Sequence, residues 1–386
     1  MKVEQIYSIL NTITEENLGD SIIVAEDLSN IVDVGATVEN AMGYDNFTKQ
    51  LVDHIGRMVF VDRVYGGRAP RTLVDSWEFG SILQKVSVGL PEAQENEMWS
   101  LQDGQSYDPF VFKGLDVTSK FYNERITFDI QLSITTKQVK SAFDSVNQMN
   151  AFMSMLYTSV NNSATVKIDS LVMRAINNMI GETLYSEIPG GTYSGTSGVR
   201  AVNLLYLYNQ TVDAGAALTA KEFIRTPEAI RFAVQIFKNY MDRVKVMSTL
   251  FNMGGQERFT PADRLHIVML SEFKNGADTF LQSGTFNAEY TALPGSESVV
   301  YWQGSGIDYD FDSTSAIKIK TSAGHTINAT GIIAVMFDRD ALGVANVDNS
   351  VTSAYNAKAD FTNNFYHYTQ GMWNDGNENF IVFYVA

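Results

Sequence analysis

The stretch that decides the fold is AFMSMLYTSVNNSATVKIDSLVMRAI, residues 151–176. It belongs to the longest helical segment that the sequence predicts, from about residue 136 to residue 184. The apolar residues of its second half share one helical face: Ile168, Leu171, Val172, Ala175, Ile176, Met179 and Ile180. In the middle, Asn161, Asn162 and Ser163 predict an interruption or a bend. The sequence therefore predicts a long helix with a weak point near its centre.

Before this helix, residues 62–130 have a different texture. Short apolar runs such as WEFGSILQKVSVGL (77–90) and FVFKGLDVTSKF (110–121) are separated by the turn signals GGRAP and DGQSYDP. The pattern predicts a long β-rich excursion, which an assembling subunit can lay across a neighbour through backbone pairing and apolar contacts. Further upstream, residues 1–45 predict an extended or partly helical arm, and residues 45–60 a short amphipathic helix.

After the long helix, TPEAIRFAVQIFKNYMDRVKVM (226–247) predicts a second helix, with Thr226 as N-cap and Pro227 in the first turn. Its expected apolar stripe is Phe232, Ile236, Tyr240, Val244 and Met247. Five later runs predict strands: LHIVML (265–270), VVYWQG (299–304), AIKIKT (316–321), GIIAVMFD (331–338) and NFIVFYVA (379–386). Because helices and strands do not alternate as βαβ units, the fold class is predicted to be α+β.

The composition excludes several classes of protein. The 386 residues carry 44 acidic and 28 basic side chains, a net charge of −16, and no cysteine. Without cysteine there is no disulfide framework, thiolate zinc site or cysteine nucleophile. The acidic balance disfavours a protein that reads DNA sequence, because phosphate binding needs concentrated Lys and Arg. Since neither a secretory signal nor an apolar run of about 20 residues is present, we expect no export and no membrane association.

The histidines do not predict catalysis or a metal site. They are His54, His266, His325 and His367, and none has a second His or a carboxylate at metal-ligand spacing. His266 lies inside the run LHIVML, so we expect a core or sheet histidine. The glycine-rich runs also lack the spacing of a phosphate-binding loop or a dinucleotide fold. We therefore expect no enzyme activity and no cofactor.

Three alternating carboxylates, Asp308, Asp310 and Asp312, resemble the start of a calcium-binding loop. The sixth and twelfth positions of such a loop require Gly and Glu, but here they are Ser313 and Ile319. The interpretation that fits better is a strand or turn with solvated carboxylates on one side and aromatic residues on the other.

A basic cluster begins just before the β-rich excursion, at Arg57, Arg63, Arg68 and Arg71. In an acidic chain, such a cluster favours contact with the carboxylates of a neighbouring subunit over an anion or nucleic-acid site. The nearby aromatic residues Trp77, Phe79 and Trp99 are further candidates for inter-subunit contacts, with burial in the core as the alternative.

The order of these elements resembles the major capsid proteins of tailed bacteriophages, which have the HK97 fold, and most closely those of phi29-like podophages. Four segments carry the resemblance: LVDHIG (51–56), residues 151–176, IIAVMFDRDALGV (332–344) and NNFYHYTQGMWN (363–374). It implies a protein that assembles into the icosahedral or prolate head shell enclosing the double-stranded DNA genome.

The resemblance also implies a domain organisation. Residues 1–45 would be an N-terminal arm and residues 62–130 the extended loop, or E-loop, that overlaps an adjacent subunit. The peripheral domain would comprise residues 46–61, 131–249 and 351–386, with a long spine helix, and NFIVFYVA would return to its sheet. Residues 250–350 would form the axial domain.

The implied partners are other copies of the chain, in pentamers and hexamers, together with a separate scaffolding protein and a portal protein. Contact with the packaged DNA would be weak and non-specific, because a strongly negative subunit repels phosphate. The resemblance places the protein in the virion, after assembly in the cytoplasm of the host bacterium.

Three alternatives remain open from the sequence. An encapsulin-like nanocompartment shell would have the same fold around an enzyme cargo. A phage carbohydrate-binding or structural protein would account for the Tyr, Trp, Asn and Gly content. A soluble hydrolase is the third alternative, although no catalytic group can be nominated for it.

Overall fold

The computed structural model describes most of the chain. The described residues are 3–18, 24–25, 27–41, 43, 46–47, 49–51, 74–76, 83–91, 93, 95, 102–104, 110, 112–143, 145–282, 296–303 and 310–386. Helices and strands are mixed without βαβ alternation, so the predicted α+β class is confirmed.

The helices and strands are numbered separately along the described chain. The helices are α1 (Val3–Leu18), α2 (Ile31–Ala41), α3 (Thr136–Ala142), α4 (Val146–Glu187), α5 (Leu204–Asn209), α6 (Ala220–Phe223), α7 (Pro227–Val244), α8 (Ser271–Gln282) and α9 (Phe311–Thr314). The strands are β1 (Val74–Ser76), β2 (Leu83–Val88), β3 (Val117–Tyr122), β4 (Arg125–Thr135), β5 (Ala201–Asn203), β6 (Leu265–Leu270), β7 (Ser296–Val299), β8 (Ile317–Lys320), β9 (Thr326–Ala329), β10 (Ile332–Asp338), β11 (Leu342–Asn356), β12 (Phe361–Asn374) and β13 (Phe380–Tyr384).

The chain forms two compact units, each built from separated segments. Unit 1 comprises Met1–Phe79, Arg125–Val172 and Val344–Gly371, and unit 2 comprises Gly80–Glu124, Met173–Gly343 and Met372–Ala386. These segments depart from the predicted domain boundaries. The last strand, expected in a different domain from residues 250–350, pairs with β10 of that range. Its other neighbour is β5, from the predicted peripheral range, so this sheet of unit 2 combines strands from both predicted domains.

Unit 1 contains a four-stranded sheet in the order β1-β11-β12-β4. Strands β12 and β4 pair antiparallel over their length, from Phe361 opposite Thr135 to Gly371 opposite Arg125. The helices α1 and α2 add buried apolar side chains to the same core, among them Ile6, Leu10, Ile13, Val34 and Val38. Of the two expectations for residues 1–45, an extended or a partly helical arm, the described residues therefore support the partly helical one, and its helices pack into the core of unit 1.

Helix α4 confirms the long predicted helix and corrects its detail. It runs without interruption through Asn161, Asn162 and Ser163, where an interruption or a bend was expected. The buried residues Val160 and Ala164 on either side keep the helix packed, and the low helix propensity of Asn costs less than 1 kcal/mol per residue. The break lies earlier, between α3 and α4, after Phe143 caps the end of α3.

Unit 2 contains a five-stranded sheet in the order β5-β13-β10-β6-β7. In the register of this sheet, Val335 of β10 faces Val382 on one side and Val268 on the other. All residues of β10 and β13 are buried. The predicted strands LHIVML, AIKIKT, GIIAVMFD and NFIVFYVA are confirmed as β6, β8, β10 and β13. In VVYWQG, however, β7 ends at Val299, and the buried Trp302 donates from Nε1 to the Ile332 carbonyl at 2.8 Å.

Helix α7 begins as predicted, with Thr226 as N-cap and Pro227 at its first position. Its buried face is different from the predicted stripe, and comprises Ala229, Ile230, Ala233, Val234, Phe237, Tyr240 and Val244. The predicted residues from Phe232 to Val244 were spaced by four, which rotates about 40° per step around a helix of 3.6 residues per turn. The prediction therefore met the true face only at its C-terminal end, and Met247, beyond the helix, is exposed.

Candidate assembly surface

The predicted contact residues cannot be placed in the structure. Arg57, Arg63, Arg68, Arg71, Trp77, Phe79 and Trp99 all lie outside the described residues. Their role in contacts between subunits stays a prediction. The same excursion includes a described hairpin of β2 and β3, one face of which is exposed.

The hairpin has two chemically different faces. Its strands pair antiparallel, with Gln84 opposite Phe121, Val86 opposite Ser119 and Val88 opposite Val117. Alternate residues of a strand share a face, so these pairs form one side of the hairpin. That side is exposed and mostly apolar, and Phe121 alone leaves 63% of its surface accessible. With the exposed Phe112 and Leu115 of the adjoining segment, these apolar side chains form what we call the hairpin surface: Val86, Val88, Phe112, Leu115, Val117 and Phe121.

The opposite face of the hairpin is anchored to unit 2 by charge. Lys85 Nζ lies 2.8 Å from Asp375 Oδ2 and 2.8 Å from Glu378 Oε1, and it also donates to the Asp340 carbonyl at 3.1 Å. Lys120, directly opposite Lys85 in the hairpin, reaches Asp375 Oδ1 at 3.2 Å. We call Lys85, Lys120, Asp375 and Glu378 the anchor cluster. Asp375 is central to it, because its side chain is only 3% exposed and receives both lysines.

Backbone hydrogen bonds also position the Asp375 carboxylate, independently of the two lysines. Asp375 donates its N–H to the Ala341 carbonyl at 2.7 Å, and its side chain accepts from the Asn377 N–H at 3.0 Å. Gly254 donates to the Gly376 carbonyl at 2.8 Å. A Cβ on Gly254 would lie 1.9 Å from Asn377 Oδ1, so any larger residue there would displace the Asn377 side chain.

The pKa shifts of Lys85 and Asp375 follow from their pairing with each other. Burial alone would raise the pKa of Asp375, but hydrogen bonding and the charge of Lys85 lower it below the ordinary value. Burial would likewise lower the pKa of Lys85, and its hydrogen bonds to Asp375 and Glu378 raise it instead. Burial and the nearby negative charge of Asp375 raise the pKa of Tyr122. Asp375 is therefore negatively charged and Lys85 positively charged at neutral pH.

A cavity of about 300 Å³ lies beside the anchor cluster. Its charged lining comprises three basic residues, Lys85, Lys120 and Arg258, and three acidic ones, Asp340, Asp375 and Glu378. Because these charges balance, the cavity has no excess of either sign with which to select an ion. The cluster is suited to holding the hairpin, not to binding a ligand.

A second exposed apolar surface lies after helix α7. Val246, Met247, Leu250 and Phe259 are all exposed there. Contiguous exposed apolar side chains of this kind mark interaction sites more often than single ones do. Unit 2 thus has two apolar surfaces that its own core does not cover.

His367, for which the sequence indicated no partner, contacts two polar side chains in unit 1. His367 of β12 lies 2.6 Å from Asp129 Oδ1 through Nδ1, and 2.8 Å from Thr352 Oγ1 through Nε2. The three residues come from neighbouring strands, so the arrangement is a polar ladder across the sheet. The sequence of contacts, from the Asp129 carboxylate through the His367 ring to the Thr352 hydroxyl, resembles a catalytic base beside a hydroxyl. Nucleophilic catalysis, however, also needs oxyanion donors and a substrate cleft. Sequence reasoning missed it because 238 residues separate Asp129 from His367.

The other candidate chemical residues have structural partners. His266 lies in β6, as expected, where burial and the charge of Arg339 lower its pKa. Asp310 and Asp312 pair with Lys221 at 3.1 Å and 2.9 Å, whereas Asp308 is outside the described residues. In the part of the chain that the structure describes, no three His, Cys, Asp or Glu side chains are grouped to hold a metal. Nor is any helix in that part long and apolar enough to cross a membrane.

Comparison with known proteins identifies a family. The model of the Phi29-like phage major capsid protein family matches residues 10–384. The major capsid protein of Bacillus phage GA-1 is 23% identical over 193 residues, which cover 48% of this chain. The match spans 39% of that relative's length.

Two solved structures are similar at low identity. The capsid of Staphylococcus phage Andhra matches with a TM-score of 0.48 at 12% identity, covering 83% of this chain and 84% of the other. The capsid of cyanophage P-SCSP1u matches with a TM-score of 0.44 at 12% identity, covering 81% and 86% of the two chains.

Proposed function

This chain belongs to the Phi29-like phage major capsid protein family, and from that premise we propose that it self-assembles into the head shell that encloses the phage's double-stranded DNA. The observation that carries the proposal is the hairpin surface. Its six apolar side chains are exposed in the isolated chain, and four of them, Val86, Val88, Val117 and Phe121, lie on the two anchored strands. A second copy of the chain would remove them from water.

The size of this surface suits reversible assembly. Burying six half-exposed apolar side chains contributes about 6–12 kcal/mol before any cost, at about 1–2 kcal/mol each. Association of two proteins costs about 4–15 kcal/mol in lost freedom and ordering. A single hairpin contact is therefore weak, and a stable shell requires each subunit to make several contacts at once.

The charge of the chain suits a container for DNA. A net charge of −16 repels phosphate over long distances, so contact with packaged DNA would be weak and non-specific. Tight binding to the inner wall would hinder packaging and release.

We also propose an HK97-like arrangement with revised boundaries. Unit 1, with the sheet of β4, β11 and β12 and the first part of the spine helix α4, is assigned to the peripheral domain. In unit 2, the sheet of β5, β6, β7, β10 and β13 is assigned to the axial domain. The strands β2 and β3, together with the other described residues between them, would belong to the E-loop.

The remaining partners follow from the family. A separate scaffolding protein would direct shell size, and a portal protein would occupy one vertex. Pentamers and hexamers of this chain would form the rest of the shell. Assembly would take place in the cytoplasm of the host bacterium, and the mature protein would reside in the virion.

Electron microscopy of high-speed pellets tests the proposal. The chain is expressed alone and with candidate scaffolding proteins, beside a Phe121→Asp variant and a Val166→Asp control in α4, whose residue is 69% exposed. We expect shells, sheets or rings for the wild type and for the control, and their loss in Phe121→Asp. Wild-type protein that stays small and soluble under every condition would contradict the proposal. Shells that enclose an enzyme in place of DNA would favour a nanocompartment.

A further inference from the structure

Strand β4 is the longest edge strand of the two larger sheets. The other edge strands, β1, β5 and β7, have 3, 3 and 4 residues, whereas β4 has 11. Proteins commonly protect a sheet edge with a short strand, with Pro or with Lys. The sequence of β4, RITFDIQLSIT, contains neither Pro nor Lys. Among the described strands, only β12 pairs with it. The second edge of β4 is therefore suited to pair with a strand of another molecule.

The hydrogen bonds to β12 show which residues of β4 point towards that second edge. Met372 donates its N–H to the Glu124 carbonyl at 3.1 Å, and Thr136 donates to the Asp360 carbonyl at 3.3 Å, at the two ends of the pairing. In an antiparallel pair, every second residue turns its backbone N–H and C=O towards the partner strand. The even-numbered residues of β4 therefore bond to β12, and the odd-numbered ones within residues 127–133 turn these groups outward.

The side chains of β4 form one polar and one apolar face. The odd-numbered side chains are polar and exposed: Arg125, Thr127, Asp129, Gln131 and Ser133. The even-numbered side chains are apolar: Ile126, Phe128, Ile130, Leu132 and Ile134. Of these, Phe128, Ile130 and Leu132 pack on the core of unit 1 but are only partly buried. A strand added at this edge must continue the apolar face on the same side of the sheet.

The sequence of β4 is complementary to itself about its central residue, Ile130. When two copies of β4 run antiparallel around a two-fold axis at Ile130, each residue lies opposite the one equally far from the axis. The apolar pairs are then Ile126–Ile134, Phe128–Leu132 and Ile130–Ile130, and the polar pairs are Arg125–Thr135, Thr127–Ser133 and Asp129–Gln131. The outward-facing residues meet one another, and no like charges are opposed. An axis at Asp129 would instead place two carboxylates opposite each other.

We propose that two copies of the chain join through β4, as an antiparallel pair that makes one continuous sheet across a two-fold axis. This inference rests on the proposed function and adds to it a contact between rings of subunits. Contacts within a ring of identical chains are head-to-tail, whereas a two-fold contact uses the same surface on both copies. Pairing through β4 therefore links a pentamer or hexamer to its neighbour.

The small size of this contact suits a shell. A strand of 11 residues is about 37 Å long, and a strip about 10 Å wide along it has an area of about 370 Å² per copy. A standard stable interface buries about 800 Å² per partner. Pairing through β4 alone is therefore too weak to hold a dimer in dilute solution, and it forms when several contacts act together.

Single cysteines test the position of the axis, because the chain has no cysteine. Opposite residues of a non-hydrogen-bonded antiparallel pair have Cα atoms about 4.5 Å apart, which permits a disulfide. We expect oxidised shells of Ile130→Cys to give a covalent dimer, and those of Ile126→Cys, away from the axis, to give none. Absence of the Ile130→Cys dimer in normal shells, or equal dimer yields from both variants, would overturn β4 pairing while the shell function stands. Wild-type chains that form no shells would contradict the proposed function and this inference with it.

Charge substitutions on the exposed face test the same contact without a disulfide. We expect Thr127→Lys combined with Ser133→Lys to lower the yield of shells about tenfold, because like charges are then opposed twice across the axis. Thr127→Lys combined with Ser133→Glu is the matched control, and it should keep the wild-type yield because opposite charges then meet. Both double variants lose the hydrogen bond from Ser133 Oγ to Asn363 Oδ1. Equal yields from the two double variants would contradict the proposal.

Discussion

Strand β13 and strand β2 are both rich in apolar residues but reach opposite states. Every residue of β13 is buried, because β10 and β5 pair with its two edges. Among the described strands, β2 pairs only with β3, and exposed and partly buried residues alternate along it. A two-stranded hairpin is only marginally stable in water. The anchor cluster stabilises one face of the hairpin by charge pairing, where a core would otherwise be needed. The other face is apolar and exposed, and we propose that a partner covers it.

Truncating one aromatic ring in each strand should give the largest difference. Phe383 of β13 is fully buried, with its ring centroid 4.6 Å from that of Phe237 and 5.4 Å from that of Tyr240. We expect Phe383→Ala to lower the free energy of unfolding by about 3–5 kcal/mol, through lost contacts and the cavity it leaves. Phe121→Ala should change it by less than about 0.5 kcal/mol while still weakening assembly. Urea unfolding of unassembled chains measures both, and similar losses would mean that Phe121 is part of the core.

Removing the charge of Asp375 should have the next largest effect. Asp375→Asn keeps an oxygen for the Asn377 N–H but removes a carboxylate partner of Lys85, which retains the Glu378 carboxylate and the Asp340 carbonyl. Because Lys85 is 25% exposed, solvent reduces the loss, and we expect about 1–2 kcal/mol. Hydrogen exchange should accelerate in residues 83–88 and 117–122 and stay unchanged in β10 and β13.

The control for this variant is Glu124→Gln. Glu124 pairs with Arg174 at 3.7 Å, and both side chains are more than half exposed. Such surface pairs contribute little, so the stability should be unchanged within error. Uniform acceleration of exchange in the Asp375→Asn variant would indicate global destabilisation, and would contradict the local role of the anchor cluster.

The anchor cluster should also make the free energy of unfolding depend on pH, by less than the Asp375→Asn substitution changes it. At pH values below about 10 we expect a loss of stability only towards acid pH. The lowered pKa of Asp375 means that its stabilising contribution is complete above its ordinary pKa of 3.8 and is lost as the pH falls through the lowered value. The raised pKa of Lys85 means that its contribution is complete below 10.5 and is lost only at higher pH. We expect the wild type to lose about 1 kcal/mol relative to Asp375→Asn between pH 5 and pH 2. Parallel curves for the two proteins in urea unfolding would exclude Asp375 as the titrating group.

The sequence predicted the elements whose pattern is local. The buried runs of β6, β10 and β13 and the start of α7 at Thr226 are examples, because apolar continuity and a Thr-Pro cap are visible within a few residues. The long strand β11 was missed, since its outer part, DNSVTSAYN, is polar and largely exposed. Burial of its inner end comes from distant strands, which no local pattern reports.

The candidate site shows the same division. The apolar excursion was predicted to contact a neighbour, and this stays a prediction; the anchor cluster was not predicted, because Lys85 and Asp375 are 290 residues apart. A pair at that separation becomes visible only when the hairpin and the turn before β13 meet in unit 2. The predicted arginines were chosen by density along the chain, and density alone does not show which charges face one another.

Helix α4 offers the smallest and most local test of these lessons. The sequence favoured a bend at residues 161–163, and the structure has a continuous helix with Asn162 exposed. In an uninterrupted helix, replacing an exposed Asn by Ala removes a residue of poor helix propensity and adds no contact. We therefore expect Asn162→Ala to raise the free energy of unfolding by about 0.5 kcal/mol. Thermal or urea unfolding measures this change in stability. The comparison variant is Ser170→Ala, at another exposed position of α4. A loss of stability in Asn162→Ala alone would mean that the Asn side chain supports a local bend after all.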